Sequence, residues 1–358
     1  MLPMFLLMSA CRPAGPDLDP DAPIQSDTSD ADWSAVDAYL DEAFASQDAV
    51  DGFGLWVWRT EGDELVYHRA YGGLTAEDRL AVASASKLVT GLVFLRMVEL
   101  GQMSLSSTTA EVLGWQGTPE GAITLDHAGA FVTGFDASNP CTFRPGLTLS
   151  ECVDDFREAG LQAPPGTQFD YGAAHMHVGS VMVEAVTGVA YNDAFAMHLA
   201  QPLGLNDDGL RFYTLPAQGI GTTNPLTSGG LQATVAEYSQ FLRVVAHAGT
   251  VDGVRVVSPE LVARMFRNDY TTASVAFSPY TDAGYDFRYG YGGWLECDGA
   301  VAECDVFSSA GAFGFTPWVD REHGYYAILA MQGPAGTGAT LAVTIEQDVQ
   351  PMVLDVLQ

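Results

Sequence analysis

Residues 82–101 read VASASKLVTGLVFLRMVELG, with Leu88, Val89, Leu92, Val93, Phe94, Leu95, Met97, Val98 and Leu100 apolar on nearly every side of a helix. Such a pattern predicts a helix buried all round, with Gly101 as its end cap. Upstream, Trp33, Val36, Leu40 and Phe44 recur at helical spacing between acidic residues, predicting an amphipathic helix over about 31–47. GFGLWVWRT and ELVYHRAYGG, separated by Glu61-Gly62-Asp63, predict a pair of strands in which His68 is an ordinary strand residue. From about 126 to 284, Pro- and Gly-rich loops alternate with helical segments at 149–159, 174–187, 190–200, 234–248 and 258–267. GYGGWLEC, AFGFTPWVD and GYYAILAMQ then restore strand patterning, and a last helix over about 338–357 is expected to kink or break at Pro351. Strands at both ends with helices between them suggest one sheet built from both termini, with a helical lobe inserted at about 126–284. No internal repeat is present.

At 358 residues and 47% hydrophobic content the chain can bury a large core, in one big domain or two lobes. A net charge of −30 repels nucleic acid and anionic lipid, which excludes both as partners; no protein partner is implied. Of the five cysteines, Cys141 and Cys152 form one short-range pair and Cys297 and Cys304 another. Neither pair has zinc-site spacing with a histidine nearby, so two local disulfides and an oxidising compartment are expected. The fifth, Cys11, closes the run MLPMFLLMSAC, whose end Met8-Ser9-Ala10-Cys11 resembles a bacterial lipobox. The expectation is a signal segment over 1–11, a Pro- and Asp-rich tether over 12–31, and a folded domain over 32–358. Cys11 would carry the lipid anchor, the only link to a membrane. No Lys or Arg precedes the apolar run, which is short for a signal peptide, and an ordinary cleaved signal is the alternative. Either places the protein outside the cytoplasm, in the cell envelope or secreted.

The candidate chemistry begins at the head of the buried helix. Ser84 and Lys87 are three apart and fall on one helical face. A serine there meets the positive end of the helix and its orphan N–H groups, a setting for a nucleophile whose reaction passes through an oxyanion. Lys87 is the only lysine in the chain; the other fourteen basic residues are arginine. Arginine cannot shed its proton in a protein, whereas a desolvated lysine becomes a neutral base. No Gly-x-Ser-x-Gly elbow, phosphate loop or dinucleotide fingerprint is present, and no cofactor is implied. His175 and His177, two apart on a helix, face different ways with no carboxylate or cysteine to complete a set, so no metal site is expected.

Ser84-Ala85-Ser86-Lys87 resembles the Ser-x-x-Lys motif of the serine β-lactamase and penicillin-binding-protein superfamily, and its surroundings resemble the class C β-lactamase-related branch that includes the family VIII carboxylesterases. The resemblance runs from about residue 50 to the C-terminus. It implies an α/β fold of the α+β type: an antiparallel sheet flanked by helices, an inserted helical lobe, and an active site at their junction. Where that branch has Leu-Leu-x-His-Thr-Ser-Gly, only Thr133 and Gly134 match. PGTQFDYGAAHMHVGSVMVEAVTG (165–188) resembles the stretch carrying a Tyr-x-Asn motif. By that likeness Tyr171 is a phenol whose pKa is lowered for general-base and then general-acid work. Ala173 stands where asparagine is usual, as in many family VIII esterases, so the amide that helps bind a substrate carbonyl is missing. FSSAGAFGFTPWVD (307–320) resembles the third motif, usually Lys-Thr-Gly or His-Ser-Gly, and reads Ser309-Ala310-Gly311. There Gly311 admits close approach of substrate, and the N–H of Ala312 completes an oxyanion hole with that of Ser84; the usual cation is absent.

The resemblance implies a serine hydrolase that acts through an acyl-enzyme on a small-molecule acyl substrate. A small ester or amide is the expected one. A D-Ala peptidase or β-lactamase with the same site is an alternative, and a catalytically weak receptor or scaffold of the same fold is another.

Overall fold

The computed structural model describes residues 31–358 apart from 207, 208, 298 and 300. The signal segment, Cys11 and all but the last residue of the tether lie outside the described residues. Two strands come from the N-terminal part, β1 (Phe53–Arg59) and β2 (Leu65–Ala70). Five come from the C-terminal part: β3 (Arg288–Tyr289), β4 (Trp294–Leu295), β5 (Val306–Ser308), β6 (Thr316–Asp320) and β7 (Tyr325–Met331). They form one sheet in the order β3-β4-β5-β6-β7-β1-β2, every neighbour antiparallel. The two ends of the chain meet at β1 and β7, where Leu55 lies opposite Leu329 and Trp56 opposite Ile328.

Six longer helices accompany the sheet: α1 (Ser34–Ala45), α2 (Ser86–Glu99), α3 (Leu149–Ala159), α4 (Ala174–Thr187), α5 (Val235–Ala246) and α6 (Thr337–Leu357). Side chains alternate across the strands, and both faces are covered. Phe53, Leu55 and Val57 of β1, with Tyr325, Ala327, Leu329 and Met331 of β7, pack under α1 and α6. Trp56, Trp58, Tyr326, Ile328 and Ala330 point the other way, into a larger core that holds α2, α4 and α5. Burial on two sides is why these strands read as unbroken apolar runs instead of alternating ones. Capping boxes set two of the helix starts, Thr148 with Glu151 before α3 and Thr234 with Glu237 before α5. Helices α3 and α4 pack together beside α2; α5, though inside the 126–284 span, lies on β6 and β7.

Two helices depart from their predicted form. The segment expected as one helix over 190–200 is α-helical over Tyr191–Phe195 and π-helical over Ala196–Ala200. Pro202 has no N–H to offer the carbonyl of His198, and Arg96 Nε donates to it instead at 3.1 Å. Helix α6 runs on through Pro351 without interruption. Pro351 is exposed, and buried Ile345, Val349 and Val353 hold both halves of the helix to the sheet.

Disulfides join Cys141 to Cys152 and Cys297 to Cys304, as their spacing predicts. Both point to an environment outside the reducing cytoplasm. No helix among the described residues is long and apolar enough to cross a membrane.

Candidate active site

The sequence enters α2 through a sharp turn. Ala83 holds a left-handed φ of 46°, an uncommon conformation for a residue with a Cβ, and Ala83–Ala85 forms one 3₁₀ turn that leads straight into the helix. Neighbouring elements pin this turn. The Val82 N–H donates to Leu231 O at 3.0 Å, Leu231 N–H donates to Ser86 Oγ at 3.0 Å, and the Tyr238 hydroxyl donates to Ala85 O at 2.7 Å. Within the turn, Ala85 N–H bonds to Val82 O and Ser86 N–H to Ala83 O, which leaves the Ser84 N–H outside the ladder. The result is a half-buried hydroxyl at the head of a buried helix, on a backbone with little freedom to move.

Lys87 is 5% exposed, with Nζ 2.9 Å from Ser84 Oγ and 2.8 Å from Ser228 O. Burial pushes its pKa down to about 7, so near neutral pH a large share is neutral amine. A neutral amine donates to Ser228 O and offers its lone pair to the Ser84 proton. The ring of Tyr171 lies against it, its centroid 4.6 Å from Nζ. Trp294 and Phe131 enclose that ring, at 5.1 and 5.7 Å between centroids. Here the structure corrects the sequence reading. Tyr171 is pushed up to about 12, because burial among aromatic rings outweighs its hydrogen bonds to Ser84 and Trp294. A resident phenolate is therefore disfavoured, whereas Lys87 is close to the pH at which half of it is neutral.

The third motif closes the site from the end of β5. Ser309, 2% exposed, stands where a cation is usual, and its hydroxyl donates to the carbonyl of Ser84 at 3.0 Å. Ala310 packs on the core, and Gly311 lies so close to the turn that carries Ser84 that a Cβ there would meet Val82 O at 2.2 Å. The Ala312 N–H has no hydrogen-bond acceptor among the described residues, although the Ala312 carbonyl accepts from Gly336 at 3.0 Å. Ala173 sits at the start of α4, its N–H bonded to Ala137 O at 2.9 Å, and offers a methyl group where an amide is usual.

The two histidines are not ligands of one site. His175 is stacked on Phe131 with ring centroids 5.0 Å apart. Its nitrogens lie 2.7 Å from Thr133 Oγ1 and 2.7 Å from Asp170 O. Burial pushes it down to about 4, so a neutral ring fixes the segment that leads into Tyr171. Thr133, half of the weak sequence match, is thus its partner. His177 turns to Ala173 O at 3.2 Å, with its ring edge-on to Phe156. Sequence reasoning missed Phe131, Ser228 and Trp294. Phe131 and Trp294 read as ordinary core positions, and Ser228 contributes a carbonyl that any residue could supply.

Beside Tyr171 opens a groove of about 380 Å³, lined by Ala137, Thr142, Phe143, Asp170, Ala173 and Phe277. A second cavity, of about 200 Å³, lies behind Trp294 and Tyr289; neither it nor the groove has Ser84 or Lys87 in its wall, and Tyr171 lines the groove only.

The chain is similar to several known proteins. Penicillin-binding protein 4 of Amycolatopsis lactamdurans is 26% identical over 259 residues, 63% of this chain and 67% of that protein. The crystal structure of a candidate beta-lactamase from Bacteroides dorei superposes with a TM-score of 0.73 at 24% identity, covering 89% of this chain and 98% of that one. EstCE1, a hydrolase with promiscuous acyltransferase activity, gives a TM-score of 0.66 at 19% identity over 88% of this chain and 100% of its own. The Beta-lactamase family model matches residues 40–349, from within α1 to within α6 and so across every part of the site, and the chain belongs to the beta-lactamase family.

Proposed function

We propose that this protein is a serine hydrolase that cleaves small neutral esters through an acyl-enzyme on Ser84. The observation that carries the reading is the Ser84 Oγ to Lys87 Nζ distance of 2.9 Å, with the lysine held near neutrality by burial. Neutral Lys87 takes the Ser84 proton as Oγ attacks the ester carbonyl. The tetrahedral oxyanion forms at the N–H groups of Ser84 and Ala312. The proton then passes from the ammonium, with the Tyr171 phenol as relay, to the leaving alkoxide. Water repeats the sequence on the acyl-enzyme, giving its proton to Lys87 and releasing the acid.

An ester is favoured over a penicillin or a D-alanyl peptide by what stands in the second and third motifs. Those substrates carry a carboxylate, and Ser309 is neutral with its hydroxyl committed to Ser84 O. An unpaired carboxylate in a partly desolvated site forgoes a charge-assisted bond worth roughly 1.5–3 kcal/mol, about 10- to 150-fold in affinity. The net charge of −30 acts in the same direction. The same two departures, Ala173 and Ser309, are what a receptor or scaffold that has lost turnover would show, and a fluorophosphonate probe separates the two, since only an activated Ser84 labels. The substrate test is kcat/KM for p-nitrophenyl butyrate beside a chromogenic cephalosporin, with Ser84→Ala as blank. The ester is expected to turn over at least tenfold faster; the reverse order overturns the ester reading. For location we propose a cell-envelope protein with Cys11 as a lipid attachment site, supported by the Met8-Ser9-Ala10-Cys11 sequence and by both disulfides.

A further inference from the structure

Single apolar side chains on a surface are ordinary, but exposed ones that gather in one place mark a contact site, and the described residues expose six large ones beyond a third of their area. Two of the six, Phe143 at 56% and Phe277 at 45%, line the same groove, and Tyr171 forms part of its wall. Neither is a frayed tip. Phe143 follows the Cys141–Cys152 disulfide by two residues, and the buried Asn224 amide donates to Cys141 O at 2.9 Å and to Arg144 O at 3.1 Å, on either side of it. Phe277 accepts the Tyr171 N–H at 3.1 Å through its own carbonyl, so its backbone is tied to the residue that faces Ser84. The floor is equally fixed, since a Cβ on Gly172 would meet Ala137 O at 2.4 Å. Where an asparagine side chain would reach in, Ala173 leaves room. At about 380 Å³ the groove falls within the ordinary range for a small-ligand site, about 300–1,000 Å³.

Resting on the ester-hydrolase reading above, we infer that this groove is a specificity subsite for a neutral, unbranched apolar chain of about four to eight carbons on the ester, with Phe143 and Phe277 as its walls. The one charged residue in the lining is Asp170, whose carboxylate accepts only the Ala137 N–H, at 3.4 Å. It has no cation to neutralise it among the described residues, so a chain ending in a second carboxylate is repelled. Tyr171 stands in the wall of the groove and hydrogen-bonds Ser84, so a chain lying in the groove starts one ring away from a carbonyl carbon held at Ser84. Each methylene it buries raises kcat/KM by up to about fourfold until the groove is full.

The test uses the whole protein and two ester series. One varies the acyl chain from acetate to decanoate on p-nitrophenol; the other varies the alkyl chain of acetate esters. A rise of two- to fourfold per methylene in one series, levelling near eight carbons, places the chain on that side of the scissile bond. A flat profile in both series overturns the subsite. In Phe143→Ala and Phe277→Ala the ratio of octanoate to acetate should fall at least fivefold. Leu100→Ala, an exposed apolar residue at the far end of α2, should keep the wild-type ratio. An unchanged ratio in both phenylalanine variants also overturns the assignment. A monoanionic adipoyl ester should be at least tenfold poorer than hexanoate and should recover in Asp170→Asn. Binding of p-nitrophenyl octanoate to Ser84→Ala, measured by saturation-transfer NMR, separates this inference from the reading it rests on. If the wild-type protein turns over no ester, binding to Ser84→Ala that an added Phe277→Ala weakens sustains the subsite and refutes the hydrolase; wild-type turnover without chain-length dependence does the opposite.

Discussion

Lys87 combines three properties that an arginine at this position could not: burial, reach to Ser84 Oγ, and a proton it can lose near pH 7. Lys87→Arg keeps the charge but not the base, and should lower kcat by about 10²- to 10⁴-fold, close to the effect of Ser84→Ala. The same shift fixes the pH profile. A lysine lowered from its ordinary value to about 7 is protonated below that pH and neutral above it, so kcat/KM should rise with pH through about 7 and then level. Tyr171 at about 12 and His175 at about 4 place no inflection between pH 5 and 9. A profile measured on p-nitrophenyl butyrate, corrected with Ser84→Ala, checks this; activity undiminished at pH 5.5 would remove Lys87 from the base role.

At the scale of elements, α2 and α6 meet the sheet on opposite faces and by different means. Helix α2 is locked by its own burial and by Thr90, whose hydroxyl donates to Thr227 O at 2.6 Å and accepts from the Tyr191 hydroxyl at 2.8 Å. Helix α6 carries a fully buried acid, Glu346, facing Glu296 beyond the end of β4. Glu296 Oε2 accepts the side-chain amides of Gln347 and Gln350 at 2.9 Å each. Burial first, and Glu296 second, hold the Glu346 carboxyl well above its ordinary value, so the folded protein keeps it protonated. The folded state then binds one proton more than the unfolded chain once pH exceeds the ordinary carboxyl range. The stability tied to Glu346 is therefore complete below about pH 4.5 and is lost as pH rises, by at most about 1.4 kcal/mol per pH unit. Glu346→Gln keeps a donor without the titration. Urea unfolding at pH 5 and pH 8 should show a smaller decline for the variant than for the wild type; equal declines would mean that Glu346 is ionised in the fold.

For the molecule as a whole, the two disulfides close loops of 11 and 7 residues, one on the helical side and one in the connection between β4 and β5. Each should contribute about 2–3 kcal/mol, so paired Cys→Ser substitutions should lower the urea midpoint in proportion. The Cys141/Cys152 pair should also blunt chain-length selectivity, because it frees Phe143. The sequence by itself determined a good deal. Apolar runs at both ends suggested one sheet made from both termini, because strands buried on two faces are apolar throughout, and the resemblance to the β-lactamase superfamily supplied its topology. A three-residue offset on a buried helix marked Ser84 and Lys87, because helical period is a local property. Cysteine spacing marked the disulfides for the same reason. What the tertiary structure decided depends on groups brought together from far along the chain. It set the direction of the Tyr171 shift, which follows from the rings of Phe131 and Trp294 closing around it. It turned Ser309 onto Ser84 O, and it made His175 a strut for Thr133 and Asp170 instead of a titrating group. It also left Phe143 and Phe277, 134 positions apart, on one groove. Desolvation and electrostatics fall off over a few ångströms in space, and no spacing along a chain encodes which distant residues will lie within them.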